Sequence, residues 1–284
     1  MRKSKAVIRS VMKCHAGGEK MKNDFRLRQD ICKQTYFLIT VATFTFIIGC
    51  WILATVSGMV KPMFLPQLSS VFTNIIEGIK DNSLCENAVV SIYRITMGFL
   101  VAAALGIPLG ILCGSFKKVE AVIGPLCEFI RYMPVPAFVP LVMVWAGIDE
   151  VAKIVVVFIG TFFQMALMIA DDARSVPEDL LSASYTLGTK RWSTIFKVLI
   201  PAMGPRIMLT LRVTIGWAWT YLVVAELVAS NSGLGYTILR AQRFFNTDAI
   251  FAGILIIGIL GLITDRLFAI AIKKMFPWDE RSSS

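Results

Sequence analysis

The sequence is poor in the side chains that most chemistry requires. It holds one histidine, His15, set in a basic N-terminal stretch. Imidazole metal centres and histidine acid–base catalysis therefore have almost nothing to work with. Six cysteines, at 14, 32, 50, 85, 113 and 127, form no Cys-x-x-Cys pair. Most fall in or beside apolar runs, where cysteine behaves as a small buried hydrophobe; Cys85, which can face an oxidising side, has no obvious partner there. No GxxxxGK[ST] occurs, and the glycine of LGTKRW (187–192) lacks that spacing. The chain therefore cannot cradle a nucleotide phosphate by itself. Charge is scarce too, at 17% of residues, where soluble proteins carry about a quarter.

What is there is apolar. Of 284 residues, 56% are hydrophobic, and the mean hydropathy is +0.69. Apolar runs of roughly 20 residues read as membrane-spanning helices. Six are expected, at 36–58, 89–113, 119–146, 151–170, 207–229 and 249–272. The third holds Arg131 and prolines at 134, 136 and 140. A helix that irregular is tolerated at membrane depth only where protein or a water-filled path satisfies its freed carbonyls. Six spans and short connections leave no room for a soluble catalytic domain, so the expected class is an all-α integral membrane protein. The expected organisation is a cytoplasmic basic tail (1–35), a first transmembrane helix (36–58), an extracytoplasmic segment with an amphipathic helix (59–88), a core (89–272) with a cytoplasmic loop (171–206), and a cytoplasmic tail (273–284). The first span is too long for a cleaved signal peptide and lacks a small-residue cleavage site.

The formal charge of +10 suggests nucleic acid until its distribution is considered. Ten Lys or Arg precede residue 36, against three acids. Further clusters fall at Lys117 and Lys118, at Lys190, Arg191, Lys197 and Arg206, and at Lys273 and Lys274. All lie on one side if the N-terminus is inside and the spans alternate. That is the positive-inside pattern; it puts both termini in the cytoplasm and makes membrane lipid, not nucleic acid, the partner. Within the tail, AGGEKM (16–21) can be encoded as GCA-GGA-GGT-GAA-AAA-ATG, a ribosome-binding sequence just ahead of an ATG. Either Met21 is the natural start and residues 1–20 are an over-extended reading frame, or 1–20 are an ordinary basic tail.

Small and polar residues within the runs carry the next inferences. Val71, Phe72, Ile75, Ile76 and Ile79 recur at helical spacing, as in an amphipathic helix on the membrane surface. Gly98, Gly106 and Gly110 share one face with Ala102, which allows close helix approach; Pro108 in that run suggests a kink. Glu226, between Trp219 and the SGLG turn (232–235), is either a gate contact near the outer mouth or a carboxylate capping local backbone. Arg94 and Arg131 either attract an anionic solute or snorkel from span ends. Gln164, Thr161, Thr214 and Thr220 are candidates to line a polar path. Asp265 and Arg266 read as an interfacial anchor, and Trp278 as an interfacial belt residue.

The loop LSASYTLGTKRWSTIFKVLIP (181–201) is the most informative stretch. Pro177 to Leu187 suits one helix, with Leu180, Leu181 and Tyr185 as apolar points beside Ser182, Ala183 and Ser184. Gly188 can end it with positive φ. Thr189 can cap a second helix, in which Trp192, Ile195, Phe196 and Leu199 fall at i, i+3, i+4, i+7. Pro201 stops that helix or starts the next span. Helix–helix links need only roughly 2–8 residues, so this longer loop reads as a docking surface.

The loop resembles the EAA loop of ABC-importer permeases: Glu-Ala-Ala, three residues, Gly, nine residues, Ile, any residue, Leu-Pro. Ser182-Ala183-Ser184 stands for the triplet, Gly188 for the glycine and Val198-Leu199-Ile200-Pro201 for the ending, with Ser182 where the family usually carries Glu. RYMPVPAFVPLVMVWAGIDE (131–150) is similar to the family's proline-rich third core helix and its Trp-Phe-Gly-Ile-Gly-Glu ending. AELVASNSGLGY (225–236) is similar to its Ala-Glu…Gly-Leu-Gly signature. Together, over about 65–278, they resemble the nitrate/sulfonate/taurine/bicarbonate branch of type I importers. The resemblance implies a multi-pass permease of a bacterial inner or plasma membrane that pairs with a second copy of itself. It also implies two cytoplasmic ATPase subunits that hold the ATP and magnesium, and an extracytoplasmic solute-binding (lipo)protein. No cofactor or metal is expected on this chain, and no catalysis. ATPase-coupling residues would be Leu181, Ser182, Ala183, Ser184, Gly188, Arg191, Trp192 and Pro201. Translocation or gate candidates are Arg94, Arg131, Pro134, Gln164, Trp219, Glu226, Gly233 and Gly235. The solute implied is a small organic anion or related small molecule. A self-sufficient secondary transporter or channel would not need the docking loop. A membrane enzyme built on Asp171-Asp172 lacks any further acidic motif.

Overall fold

Runs this apolar have only helices available to them in lipid, because every backbone N–H and C=O must be satisfied within the segment. The computed structural model describes residues 32–58 and 60–278, and every regular element among them is helical. His15, Cys14 and the alternative start at Met21 lie outside the described residues. Two units are distinguished, one ending at Gln67 and one beginning at Leu68.

In the first unit, α1 (Lys33–Val56) is apolar on all sides beyond its first residues, with no acidic residue in its first turn and no basic residue in its last. Such a helix suits lipid around its whole circumference. From within it, the indole Nε1 of Trp51 donates to the Pro66 carbonyl of the following segment at 3.0 Å.

The second unit opens with α2 (Leu68–Lys80), the amphipathic helix. Val71 is buried against the bundle, while Phe72, Ile76 and Ile79 are exposed. The core helices follow: α3 (Ser83–Ser115), α4 (Lys117–Arg131), α5 (Val135–Ala146) and α6 (Glu150–Arg174). The short α7 (Glu178–Thr186) precedes α8, which runs Arg191–Thr194, continues through a π turn at Ile195–Leu199, and extends over Ile200–Ala229. The chain finishes with α9 (Leu234–Arg243) and α10 (Thr247–Met275).

The tightest pairing is α3 on α6. Without a hydrophobic driving force between helices in lipid, close packing supplies the attraction, and small residues permit it. A Cβ on Gly98 would sit 2.8 Å from Val157 and 2.9 Å from the Ile154 carbonyl; one on Gly110 would sit 2.6 Å from the Ala166 carbonyl. The helix stays continuous through Pro108. Around this pair Ile95, Phe99, Met165, Ile169, Trp219 and Leu222 form the main core, which α8 completes; a smaller cluster of Val139, Val142, Val156 and Ala225 holds α5 in place.

Two elements depart from the expected spans. The third, 119–146, is not one helix: α4 and α5 meet at a bend of 101°. Pro134 drives the preceding residue out of the helical region and offers no N–H. Pro136, at the second position of α5, suits a first helical turn, so the chain restarts at once. The fifth span is longer than 207–229, because Pro201 sits in the first turn of Ile200–Ala229, as one of its two expected roles held, and the turn before it runs on into that helix. The Ile200 N–H reaches back five residues to the Ile195 carbonyl. This π turn absorbs the hydrogen bond that proline cannot make. The described helices thus supply five candidate spans, or six with the bent pair counted as one.

Candidate functional site

Side chains far apart in sequence converge at the end of the bundle where α6 begins and α8 ends. Arg94, on α3, is 0% exposed and so is Glu226, on α8. Arg94 Nη1 donates to Glu226 Oε1 at 2.7 Å, and its Nε and Nη2 grip both oxygens of Glu150 at 2.6 Å each. Its remaining donors go to Ser230 Oγ, the Ser232 carbonyl and Ser232 Oγ. The buried Lys153 reaches the Ile148 carbonyl at 3.0 Å and Glu150 at 3.5 Å. Two cations thus face two carboxylates, the condition under which buried charge is tolerable.

The SGLG turn belongs to the same clasp. Three successive backbone N–H groups at the start of α9 would otherwise be orphans. Gly233 N–H donates to Asn87 Oδ1 at 2.6 Å, Leu234 N–H to Ser91 Oγ at 2.9 Å, and Gly235 N–H to Glu226 Oε2 at 2.8 Å. Ser91 in turn donates to the Glu226 carboxylate. Gly233 has φ +103°, and a Cβ there would run into the Glu226 carboxylate and Arg94 Nη1. Glycine is required here both by backbone conformation and by the space the ion pair fills. Glu226 therefore caps local backbone as one of its two expected roles held, and it does so inside an ion pair. Arg94 neither snorkels nor faces open space, because all its donors are engaged.

A second assembly lies in the crook between α4 and α5. Arg131, Pro134 and Gln164 line one cavity of about 410 Å³ with Tyr132, Phe163, Trp217 and Tyr221. Trp219 does not join them: it is buried in the core, with Nε1 donating to Thr264 Oγ1 of α10 at 3.2 Å. Thr161 and Thr214 do not line a path either. Both are buried, and their hydroxyls return to the Val157 and Thr210 carbonyls one turn back on their own helices. Asp265, expected to be an anchor, forms a two-pronged pair with Arg212 at 2.6 and 2.7 Å. No group of acidic, histidine or cysteine side chains able to hold a metal ion is found among the described residues.

At the opposite end of the bundle, α7 and the start of α8 form the helical turn. Gly188 has φ +79°. Its N–H donates to the Tyr185 carbonyl, and the Thr189 N–H to the Ser184 carbonyl. These are the two bonds of a Schellman C-cap, with glycine at its left-handed position. Thr189 does not cap the second helix as expected. Its Oγ1 donates to the Ser184 carbonyl at 2.7 Å and meets Thr194 Oγ1 at 2.8 Å, while Thr194 also meets Ser184 Oγ. The three hydroxyls staple the turn shut. Leu181 packs toward the core and Ser184 is buried. Ser182, Ala183, Arg191 and Pro201 are exposed. So are Tyr185, Leu187 at 85% and Trp192 at 59%, the last with its ring 6.0 Å from that of Phe116.

Comparison with known proteins fits this arrangement. Residues 106–277 match the family described as binding-protein-dependent transport system inner membrane component. The chain is 39% identical over 223 residues to a putative ABC transporter permease of Methanocaldococcus jannaschii, covering 77% of this chain and 84% of that protein. It is 36% identical to a putative aliphatic sulfonates transport permease of Bacillus subtilis, covering 82% and 84%. It is 29% identical to the taurine transport system permease of Escherichia coli, covering 84% and 89%. Among solved structures, an inward-facing form of the MetNI methionine ABC transporter matches with a TM-score of 0.56 at 18% identity, over 68% of this chain and 94% of that one. The chain belongs to the binding-protein-dependent transport system inner membrane component family. It is an all-helical, multi-pass permease subunit of an ABC importer.

Proposed function

We propose that two copies of this chain form the pathway by which an extracytoplasmic binding protein's cargo, a small organic anion of the sulfonate or taurine kind, crosses the membrane. ATP is hydrolysed by two separate subunits, each seated on one copy's α7–Gly188–α8 turn. The observation that carries this reading is the turn itself. Its backbone is held by a C-cap and a hydroxyl staple, yet Tyr185, Leu187 and Trp192 are left facing outward. An apolar knob on a rigid base fits a partner's cleft, and a mere connector needs neither. The sulfonate and taurine permeases among the relatives support the cargo class.

The test is a mild-detergent pull-down of the permease from its own membranes, with mass spectrometry of what accompanies it. An ATPase subunit in one-to-one ratio is expected. Gly188→Pro cannot adopt φ +79° and removes the N–H bonded to Tyr185. It should lower ATPase recovery and ATP-dependent uptake by about tenfold or more while the permease remains inserted, since roughly 3 kcal/mol of local disruption is confined to the loop. ATPase recovery and uptake at wild-type levels in that variant would refute the docking assignment.

A further inference from the structure

The cavity at the α4–α5 crook has a depth that can be read from its walls. Phe163 and Gln164 lie midway along α6 (Glu150–Arg174), while Trp217 lies just past the middle of the long helix Ile200–Ala229 and Tyr221 one turn further toward its end. At 1.5 Å per residue, α6 spans about 37 Å, so its midpoint falls near the centre of a hydrocarbon layer about 30 Å thick. Arg131 stands at a helix end only because the helix breaks there, and it lines the cavity at that break. Its guanidinium donates to the Tyr132 hydroxyl at 2.9 Å and sits 4.8 Å from that ring's centroid. No carboxylate lies within ion-pair distance of it among the described residues, although Glu128 is one turn away on the same helix.

Three arginines in helix–helix contacts are neutralised within the chain. Arg94 pairs with Glu150 and Glu226, Arg174 with Asp171 and Glu120, and Arg212 with Asp265. A charge at membrane depth is costly and needs a counter-charge. Where the chain supplies none, and the charge lines an open cavity with an amide and five aromatic rings, the counter-charge belongs to a visitor.

We infer that the crook is a transient solute site within the permease, in which Arg131 binds the anionic head of a small sulfonate or carboxylate. The planar guanidinium fork suits the oxygens of such a head. Gln164 offers an amide to a second polar group, and Tyr132, Phe163, Trp217 and Tyr221 bound the carbon portion. The inference rests on the importer reading but adds that the permease chain itself distinguishes anions, independently of any binding protein. The site is open and shallow in bonding, as a waypoint must be if the solute is to leave it.

The experiment uses the full-length permease in lipid nanodiscs, without ATPase or binding protein. Saturation-transfer NMR follows the methyl signal of ethanesulfonate, with acetate as a second anion and ethanol as an uncharged control. Wild type should give saturable transfer to both anions and none to ethanol. Arg131→Gln should weaken ethanesulfonate binding by about tenfold or more, the loss expected of a charge-assisted pair, and Arg131→Lys should weaken it less. Arg240→Gln, a cation outside the cavity, should leave it unchanged. Absence of saturable transfer in wild type would overturn the inference, as would wild-type binding in Arg131→Gln. It also fails if Arg131→Gln leaves ethanesulfonate binding intact but dissociates the permease dimer, since the guanidinium would then serve a protomer contact. None of these outcomes touches the ATPase pull-down, so the two readings fail separately.

Discussion

Arg94 shows what a single side chain can hold. It joins Glu150, Glu226 and the Ser230–Ser232 turn, and so links three helices and the turn that leads into α9 at one point. Removing one partner of a fully buried pair leaves the other charge stranded, at a cost of roughly 3–5 kcal/mol. Arg94→Ala should therefore reduce thermal stability in detergent more than Glu226→Gln, and that more than Glu150→Gln. The order follows from exposure: the Glu150 side chain is 49% exposed and water can replace its partner, whereas Glu226 is fully enclosed. Thermal unfolding of the three variants, with chromatographic monodispersity as a control, checks it; Glu150→Gln as the most damaging change would show that the clasp is held from its wet side. Little of this was legible in the sequence. Arg94 and Glu226 were both conspicuous as polar residues in apolar runs, but 132 positions separate them and nothing local says that they meet. Thr161 and Thr214 misled for a related reason: a helical threonine can bond to its own previous turn, and hydropathy does not reveal which ones do.

At the scale of elements the sequence speaks more clearly, because period and composition are local properties. The glycine stripe on α3 was readable from four- and eight-residue spacing, and its partner face on α6 is where the structure puts the closest helix approach. Gly110→Val should separate these helices, since even its Cβ would fall 2.6 Å from the Ala166 carbonyl. The expected result is a protein that inserts but no longer elutes as a single species. Gly124→Ala is the matched control, with only its own helix's Glu120 within 3.7 Å; it should be neutral or gain up to about 1 kcal/mol of helix stability. Equal behaviour of the two variants would mean that the α3–α6 contact is not what holds the bundle. The prolines were legible as irregularity but not as geometry. Pro134 produces a 101° bend, whereas Pro201 produces a π turn inside a continuous helix. The difference lies in neighbours: Met133 and Pro134 leave the helix together, while the residues before Pro201 shift to i+5 bonds and stay in it.

The whole molecule sets the clasp and the proposed docking turn at opposite ends of the same helices. Running away from the clasp, α6 ends beside α7; α8 leaves the turn and returns to Glu226. Helices locked together at one end by buried ion pairs move as a body when the other end is pushed, whereas helices freed at that end can yield separately. Two different failures then become separable. Gly188→Pro spoils the seat, so ATPase recovery and solute uptake should fall together. Glu226→Gln leaves the seat intact and loosens the far end, so the ATPase should still assemble and hydrolyse ATP, with uptake reduced several-fold. Both activities can be measured in one preparation of proteoliposomes holding permease, ATPase and binding protein. If Glu226→Gln lowers hydrolysis in proportion to uptake, the clasp acts on assembly of the complex and not on transmission through it. If the double variant loses no more uptake than Gly188→Pro alone, the turn acts upstream of the clasp, which is the order that rigid-body transmission from seat to gate requires.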